Sequence, residues 1–291
     1  MELWTIGKIL KWTEKFFAER GIESPRLDAE VLLAHVLNKE RIYLYVHFDE
    51  PLQAGELESF RELVKKRAAR IPVAYLTGER EFMGLKFKVS KDTLIPRPDT
   101  EILVQAAVDA LDKIGGNEIH FADIGTGSGA IALSILKFIP AATAETVDIA
   151  TGALKIAKEN AVNLGVADRI TFHNGDLLAP LTKGNNSYSA IISNPPYIPQ
   201  KDIATLALEV KNAEPLTALA GGEDGLDFYR RLTADAPQLL IAGGFIALEV
   251  GINQAAAVAA LAKNNPLINA DTVKIIKDYA GIERVVMAWR K

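Results

Sequence analysis

Glu118-Ile119-His120-Phe121-Ala122-Asp123-Ile124-Gly125-Thr126-Gly127-Ser128-Gly129 reads as a strand that runs into a glycine loop and then a helix. The apolar run is too short for a helix, and the glycines that follow break any period. Gly125, Gly127 and Gly129 permit a tight turn and a close backbone approach to a ligand. The helix expected over 129–138 would offer free N–H groups and a positive dipole end at its start. Downstream the same alternation continues. Strands are expected over 142–148, 169–173, 188–193, 245–250, 273–276 and 284–289, with helices over 152–164, 226–240 and 253–263. Strands alternating with helices imply an α/β fold, with a parallel sheet covered on both faces. The second strand, Ala142-Thr143-Ala144-Glu145-Thr146-Val147, is the least apolar of the set.

The second decisive stretch is Tyr188-Ser189-Ala190-Ile191-Ile192-Ser193 followed by Asn194-Pro195-Pro196-Tyr197. Two prolines cannot continue a central strand, since neither has an N–H to donate. The strand must stop at Asn194. Asn194 has a side-chain carbonyl and an NH₂ group, and Pro195 keeps a backbone carbonyl free of any ladder. Together they suit a planar NH₂ group whose two hydrogens both need acceptors, with Tyr197 against its flat face. The tetrapeptide holds no nucleophile and no strong base. On its own it reads equally as a turn. Beside a glycine loop on a neighbouring parallel strand, it reads as one wall of a crevice.

The glycine loop alone suits a carboxylate or a pyrophosphate equally. Gly125-x-Gly127-x-x-Ala130 also fits a nicotinamide dehydrogenase, and that reading stays open. Asp148, at the end of the second strand, stands where a carboxylate holds the hydroxyls of a ribose. Asp123 points to S-adenosylmethionine (AdoMet): an anion before the loop repels a pyrophosphate but attracts an ammonium, and the sulfonium tolerates acidic neighbours. Asp176 follows the third strand and is a candidate for an adenine edge, or an Asx turn.

Residues 1–75 read as helical. Thr5 is a candidate N-cap, Ser24-Pro25 starts a second helix, and Pro51 is expected to open a further one. That last helix ends in Lys65, Lys66, Arg67 and Arg70, read as a solvated basic face near a helix C-terminus. Arg41 to Tyr45 is ambiguous between helix and strand. Residues 76–90 alternate apolar and polar around Met83-Gly84 and read as a β-hairpin joint. The alternating α/β domain with its candidate AdoMet site would then cover 91–291.

Composition narrows the class. The chain has 291 residues, of which 49% are hydrophobic, enough for a large core. It has no cysteine, which excludes disulfides, thiolate metal sites and cysteine nucleophiles and suits a reducing, cytoplasmic setting. The four histidines suggest no metal pair. A net charge of −4 disfavours nucleic acid as the main partner. No run is long enough to span a bilayer, and Met1-Glu2-Leu3-Trp4 does not read as a signal peptide.

The joint pattern resembles the HemK/PrmC family, the peptide chain release factor glutamine methyltransferases. The resemblance rests on Ala74–Gly78, Leu94–Glu101, Asp123–Gly129, Asn194–Tyr197, Glu214-Pro215, Gly221–Leu226 and Gly281–Val285. It implies a class I AdoMet-dependent methyltransferase, Rossmann-like with a mostly parallel sheet, preceded by a helical bundle that recognises the protein substrate. It implies methyl transfer to N5 of the glutamine in the Gly-Gly-Gln loop of class I release factors, with S-adenosyl-L-homocysteine as product. Asn194 and Pro195 would hold the substrate amide, with Pro196 and Tyr197 beside it. Asp123, Gly125, Thr126, Gly127, Ser128, Gly129, Asp148, Asp176 and Leu177 would line the cofactor, with Asn194 bordering it. Leu177 departs from the aromatic residue that some members carry there. A monomer without metal is expected. A ribosomal-protein glutamine or the adenine amino group remain alternative substrates.

Overall fold

The alternation expected in the second part of the chain is present, and helices precede it. The computed structural model describes residues 3–114, 119–184 and 187–291. Gly115, Gly116, Asn117 and Glu118, where the first strand of the alternation was expected to begin, lie outside the described residues, as do Met1 and Glu2.

In chain order the first helices are α1 (Ile6–Ala18), α2 (Pro25–Leu37), α3 (Arg41–Val46), α4 (Ala54–Ala68) and α5 (Val73–Thr77). Thr5 caps α1 by accepting from the Lys8 N–H, and proline opens α2. The ambiguous stretch at 41–45 is helical. Pro51 does not open α4. It forms a bridge with Thr5, and the helix begins at Ala54 behind a Gln53–Glu56 capping box. That reciprocal cap satisfies two donors that a proline start would leave to water. The chain divides into two units, Met1–Glu79 with Ala207–Ala213, and Arg80–Leu206 with Glu214–Lys291. The first unit packs Ile6, Leu10, Phe17, Leu32, Leu33 and Phe60 into a core of its own. Its basic cluster is no uniform solvated face. Arg67 is buried and pairs with Asp28 at 2.7 Å and with Glu209 at 3.1 Å, and Arg70 shares Glu209.

The second unit begins with a hairpin, β1 (Glu79–Phe82) and β2 (Leu85–Lys88). Met83 and Gly84 both have positive φ, as a two-residue primed turn requires. There follow α6 (Thr100–Ile114), β3 (His120–Ile124), α7 (Ala130–Phe138), β4 (Thr143–Asp148), α8 (Thr151–Asn163), β5 (Ile170–Asn174), β6 (Tyr188–Ser193), α9 (Leu208–Ala213), α10 (Asp227–Leu239), β7 (Leu240–Glu249), α11 (Ala255–Lys263), β8 (Lys274–Lys277) and β9 (Glu283–Trp289). Seven strands form one sheet in the order β5-β4-β3-β6-β7-β9-β8, in which β9 alone runs antiparallel to its neighbours. Every residue of β6 is buried, as its continuous apolar run demands of a strand covered on both faces. One core cluster holds Phe121, Leu133, Ala144 and Ile192, and another holds Ile124, Val147, Ile191 and Leu248. β7 starts before the expected Phe245. Its pairing to β6 shifts between Tyr188 and Ala190, so Gly243-Gly244 makes an irregularity within the strand rather than a turn before it. Among the described residues no helix is long and apolar enough to cross a membrane.

Candidate active site

Strand register assembles the site. Ile124 at the end of β3 pairs with Val147 of β4 and with Ser193 of β6, and Ser193 pairs with Leu248 of β7. The next residue on each strand is Asp148, Gly125, Asn194 and Glu249. These four therefore stand in one row at the carboxyl edge of the sheet. Chain order reverses here, because β3 leads outward to β4 on one side while β6 returns on the other, which is where open α/β sheets bind ligands. Ser193 ties the two inner strands by donating from Oγ to the Ile124 carbonyl at 2.6 Å.

The glycine loop is built around two carboxylates. Asp148 accepts from the Gly127 N–H at 2.8 Å through Oδ2 and from the Ala150 N–H at 2.8 Å through Oδ1. Each oxygen keeps a second lone pair for a ligand. Burial raises the Asp148 pKa, and the backbone donors oppose that rise. Gly125 and Gly127 have φ of 77° and 56°, and a side chain at either would meet nothing within 4 Å. Their outer side is thus open to a close-fitting ligand. Asp123 is fully buried. Its Oδ2 accepts from Thr126 Oγ1 at 2.8 Å, while Oδ1 has no partner among the described residues. Burial pushes Asp123 up to about 7, and the charge of Asp148 adds to the rise. An orphaned acidic oxygen is what a cationic ligand would satisfy. Asn160 of α8, buried, donates to the Ser128 carbonyl at 2.8 Å and exchanges hydrogen bonds with Lys88, which fixes the loop against β2.

Beyond β6, Asn194 is half-buried and its Nδ2 donates to Thr100 Oγ1 at 3.2 Å. Pro195 is buried, and Pro196 and Tyr197 are half-buried. Gln254 donates to the Tyr197 carbonyl at 2.9 Å. Gly221 and Gly225 press on the same backbone, where an added Cβ would come within 2.7 Å of Tyr197 Cα and 2.3 Å of its carbonyl oxygen. The Gly221–Leu226 stretch is therefore a clamp on the tetrapeptide. Burial pushes the Tyr197 phenol up to about 12. Nearby, Arg97 pairs with buried Glu214 at 2.5 Å, and Arg284 of β9 pairs with Asp99 at 2.8 Å and Asp278 at 3.0 Å.

The sheet edge thus gathers Asp123, Gly125–Gly129, Asp148 and Asn194–Tyr197. Asp176 stands apart. It follows β5 but pairs with Arg231 of α10 at 2.6 Å, and no hydrogen bond links it to the glycine loop among the described residues. Leu177 beside it has φ of 47°, a left-handed backbone unusual for leucine. Sequence reasoning passed over Thr100, Gln254 and Glu249. Glu249 did carry a signal, as the one ionisable residue within the apolar run Phe245–Val250 at a strand's carboxyl end.

Known proteins agree with the fold. Residues 8–78 match the family described as PrmC N-terminal domain, and residues 99–218 match the methyltransferase small domain. A release factor glutamine methyltransferase of Geobacter sulfurreducens is 42% identical over 98% of this chain and 96% of its own length. One from Moorella thermoacetica is 42% identical over 99% of both chains. Among solved structures, the hMettl16 catalytic domain in complex with MAT2A 3′UTR hairpin 1 shares the fold at a TM-score of 0.57. It is 19% identical, with 79% of this chain and 80% of that one covered. A methyltransferase from Pyrococcus furiosus does so at 0.53, with 20% identity over 78% and 98%. The dehydrogenase reading of the glycine loop is thereby closed. With both of its parts matched and its whole length shared with these relatives, the chain belongs to the release factor glutamine methyltransferase family, whose class I fold uses AdoMet.

Proposed function

We propose that this chain methylates the side-chain amide nitrogen, N5, of the glutamine in the Gly-Gly-Gln loop of class I release factors. The observation that carries the reading is the Asn194 amide, placed at the switch point with its Nδ2 turned to Thr100, so that Oδ1 is the end left for a substrate. Oδ1 of Asn194 and the Pro195 carbonyl accept the two hydrogens of the substrate amide. Pro196 and the Tyr197 ring form the wall beside it. An amide nitrogen is a poor nucleophile because its lone pair is delocalised into the carbonyl. Two acceptors in the right places favour a pyramidal nitrogen and aim its lone pair, so the protein's contribution is chiefly positioning.

The residues present fit AdoMet. Asp123 Oδ1 suits an ammonium, the spare lone pairs of Asp148 suit ribose hydroxyls, and the open side of Gly125–Gly129, with Thr126 and Ser128, admits the methionine end. Asp176 and Leu177 would border the adenine, with Asp176 held by Arg231 until then. Bound AdoMet supplies an electrophilic methyl and leaves as S-adenosyl-L-homocysteine. All these groups come from one chain, which supports action as a monomer, and a release factor as substrate places the enzyme in the cytoplasm. The helical unit formed by Met1–Glu79 and Ala207–Ala213 is assigned to recognition of the protein substrate.

The test is intact-protein mass spectrometry of a release factor incubated with this chain and AdoMet, with peptide mapping. A gain of one methyl on the Gly-Gly-Gln glutamine is expected. No gain, with AdoMet binding measured separately, would move the substrate to a ribosomal-protein glutamine or to an adenine amino group.

A further inference from the structure

An asparagine amide has two nearly isosteric ends, and only one of them can accept hydrogens from a substrate. The shape of Asn194 does not choose between them. The choice is made by what stands behind it.

Behind it is a short chain of side chains. Asn194 Nδ2 lies 3.2 Å from Oγ1 of Thr100, the buried first residue of α6. A hydroxyl has a single hydrogen, so Thr100 accepts cleanly from Asn194 when its own hydrogen goes elsewhere. Glu249 provides that destination. It ends β7, one step beyond the Ser193–Leu248 pair, which sets it beside Asn194. The Thr100 hydroxyl and the Asn194 amide both face its carboxylate, and hydrogen bonding from both favours the ionised form. An ionised carboxylate only accepts. Donation therefore runs inward, from Asn194 to Thr100 and from both to Glu249, and the oxygen of Asn194 is left facing out.

The placement of Glu249 is costly for a residue that merely fills space. It is 2% exposed, and its Oε2 has no partner among the described residues. A buried carboxylate with an unused oxygen is the kind of group that persists for a task.

We propose that Glu249 is a positioning residue which, through Thr100, holds the Asn194 amide with nitrogen inward and Oδ1 toward the substrate amide. This rests on the reading of Asn194 as the acceptor of the substrate NH₂ group.

Protonation of Glu249 reverses the chain. A neutral carboxyl that donates to Thr100 frees the Thr100 hydrogen for Asn194, and the amide then turns its oxygen inward to accept. Its NH₂ would then meet the NH₂ of the substrate, donor against donor. Burial raises Glu249 to about 7. Thr100 opposes that rise, Asp99 adds to it, and Arg284 and Asn194 oppose it. Asp99 reaches it from the segment before α6, Arg284 from β9 and Tyr197 from beyond β6. Tyr229 of α10 donates its hydroxyl to the Glu249 backbone carbonyl at 2.8 Å.

The full-length chain tests this in two ways. In ¹H–¹⁵N spectra, the Asn194 side-chain NH₂ signals are identified by their loss in Asn194→Asp. They should move with pH around a midpoint near 7 in the wild type and in Asp123→Asn, and stay still in Glu249→Gln. The same movement in Glu249→Gln, or none in the wild type, overturns the proposal. In single-turnover methylation of a release factor, the wild-type rate should fall as pH drops through about 7, while Glu249→Gln shows no such fall. Glu249→Leu should react about a hundredfold more slowly with little change in AdoMet affinity. A wild-type rate in Glu249→Leu, or an unchanged acidic fall in Glu249→Gln, also overturns it. If the wild type methylates no release-factor glutamine at all, the reading of function fails instead, and the spectra still decide the role of Glu249.

Discussion

Asn194 stands one residue beyond the end of β6 and Asp123 one residue before the end of the neighbouring β3, yet a change at each should be read by a different measurement. Asn194→Ala removes the acceptor proposed for the substrate amide and leaves the glycine loop intact. Turnover should fall about a hundred- to a thousandfold, the range seen when one oriented polar group at a reacting centre is lost. AdoMet affinity, measured by calorimetry, should change little. A large loss of affinity with near-normal turnover would remove Asn194 from the substrate site. Asp123 is assigned to the cofactor, and its burial ties it to the fold as well. Its raised pKa of about 7 means that between the ordinary carboxylate range and neutrality the folded protein holds a proton the unfolded chain has released. Stability must then fall as pH rises through that window, because the folded state binds more protons there. Asp123→Asn should flatten this part of the profile of melting temperature against pH and weaken AdoMet binding at pH 8. An unchanged slope would show that Asp123 ionises normally in the fold. The roles of Asn194, Asp123 and Asp148 could be proposed from sequence because each stands at a strand end, Asn194 before prolines, Asp123 before the glycine loop and Asp148 on the strand that follows that loop. Thr100 and Glu249 were not, Thr100 because it reads locally as a helix start and Glu249 because its signal, one carboxylate in an apolar strand, names no partner. Only the register of β6 against β7 shows what they touch.

Among the elements, the strands β3 and β6 and the helices α7, α8, α10 and α11 were legible because apolar runs and glycine or proline stops coincide. Legibility failed where one signal had two structural meanings. The strand expected over 245–250 starts earlier, at Leu240, because Gly243-Gly244 is an irregular step inside β7 and its parallel partner continues past it. Pro51 was read as a helix start, but a capping box two residues later is the better nucleus. The short helix α9 was passed over, being a single turn or two without a period. The clamp at Gly221–Leu226 was recognised as a motif without a reason, and its contacts supply one. Gly225 has φ of 79°, and a Cβ there would stand 2.3 Å from the Tyr197 carbonyl oxygen. Gly225→Ala should therefore destabilise the protein by about 1–3 kcal/mol in urea unfolding, from backbone strain and the forced shift. The displaced tetrapeptide should lower turnover more than AdoMet affinity. Normal turnover in a folded Gly225→Ala protein would mean that the clamp does not set the position of Tyr197.

At the scale of the whole molecule, the two units divide the chemistry unequally. Every group assigned to AdoMet and to the substrate amide belongs to Arg80–Leu206 with Glu214–Lys291, while the segment Ala207–Ala213, only a few residues beyond Tyr197, belongs to the helical unit. Arg67 makes the strongest claim on that segment, since its buried guanidinium holds Asp28 and Glu209 together. Removing this buried cation leaves Asp28 without its partner and Glu209 with Arg70 alone, and breaking a buried pair in this way typically costs about 3–5 kcal/mol. Arg67→Ala should therefore lower the stability of the helical unit. AdoMet, by contrast, stabilises only what binds it. Calorimetric unfolding of Arg67→Ala should thus separate into an early transition that ignores AdoMet and a later one that AdoMet raises. AdoMet affinity should match the wild type, and methylation of a release factor should fall because the recognition unit and the segment after the tetrapeptide are loosened. A free glutamine-containing peptide would be spared that loss if it engages the Asn194 site alone. A single transition that AdoMet raises as a whole would show instead that the helical unit and the sheet domain unfold as one, and that the Arg67 cluster belongs to the stability of the catalytic site itself.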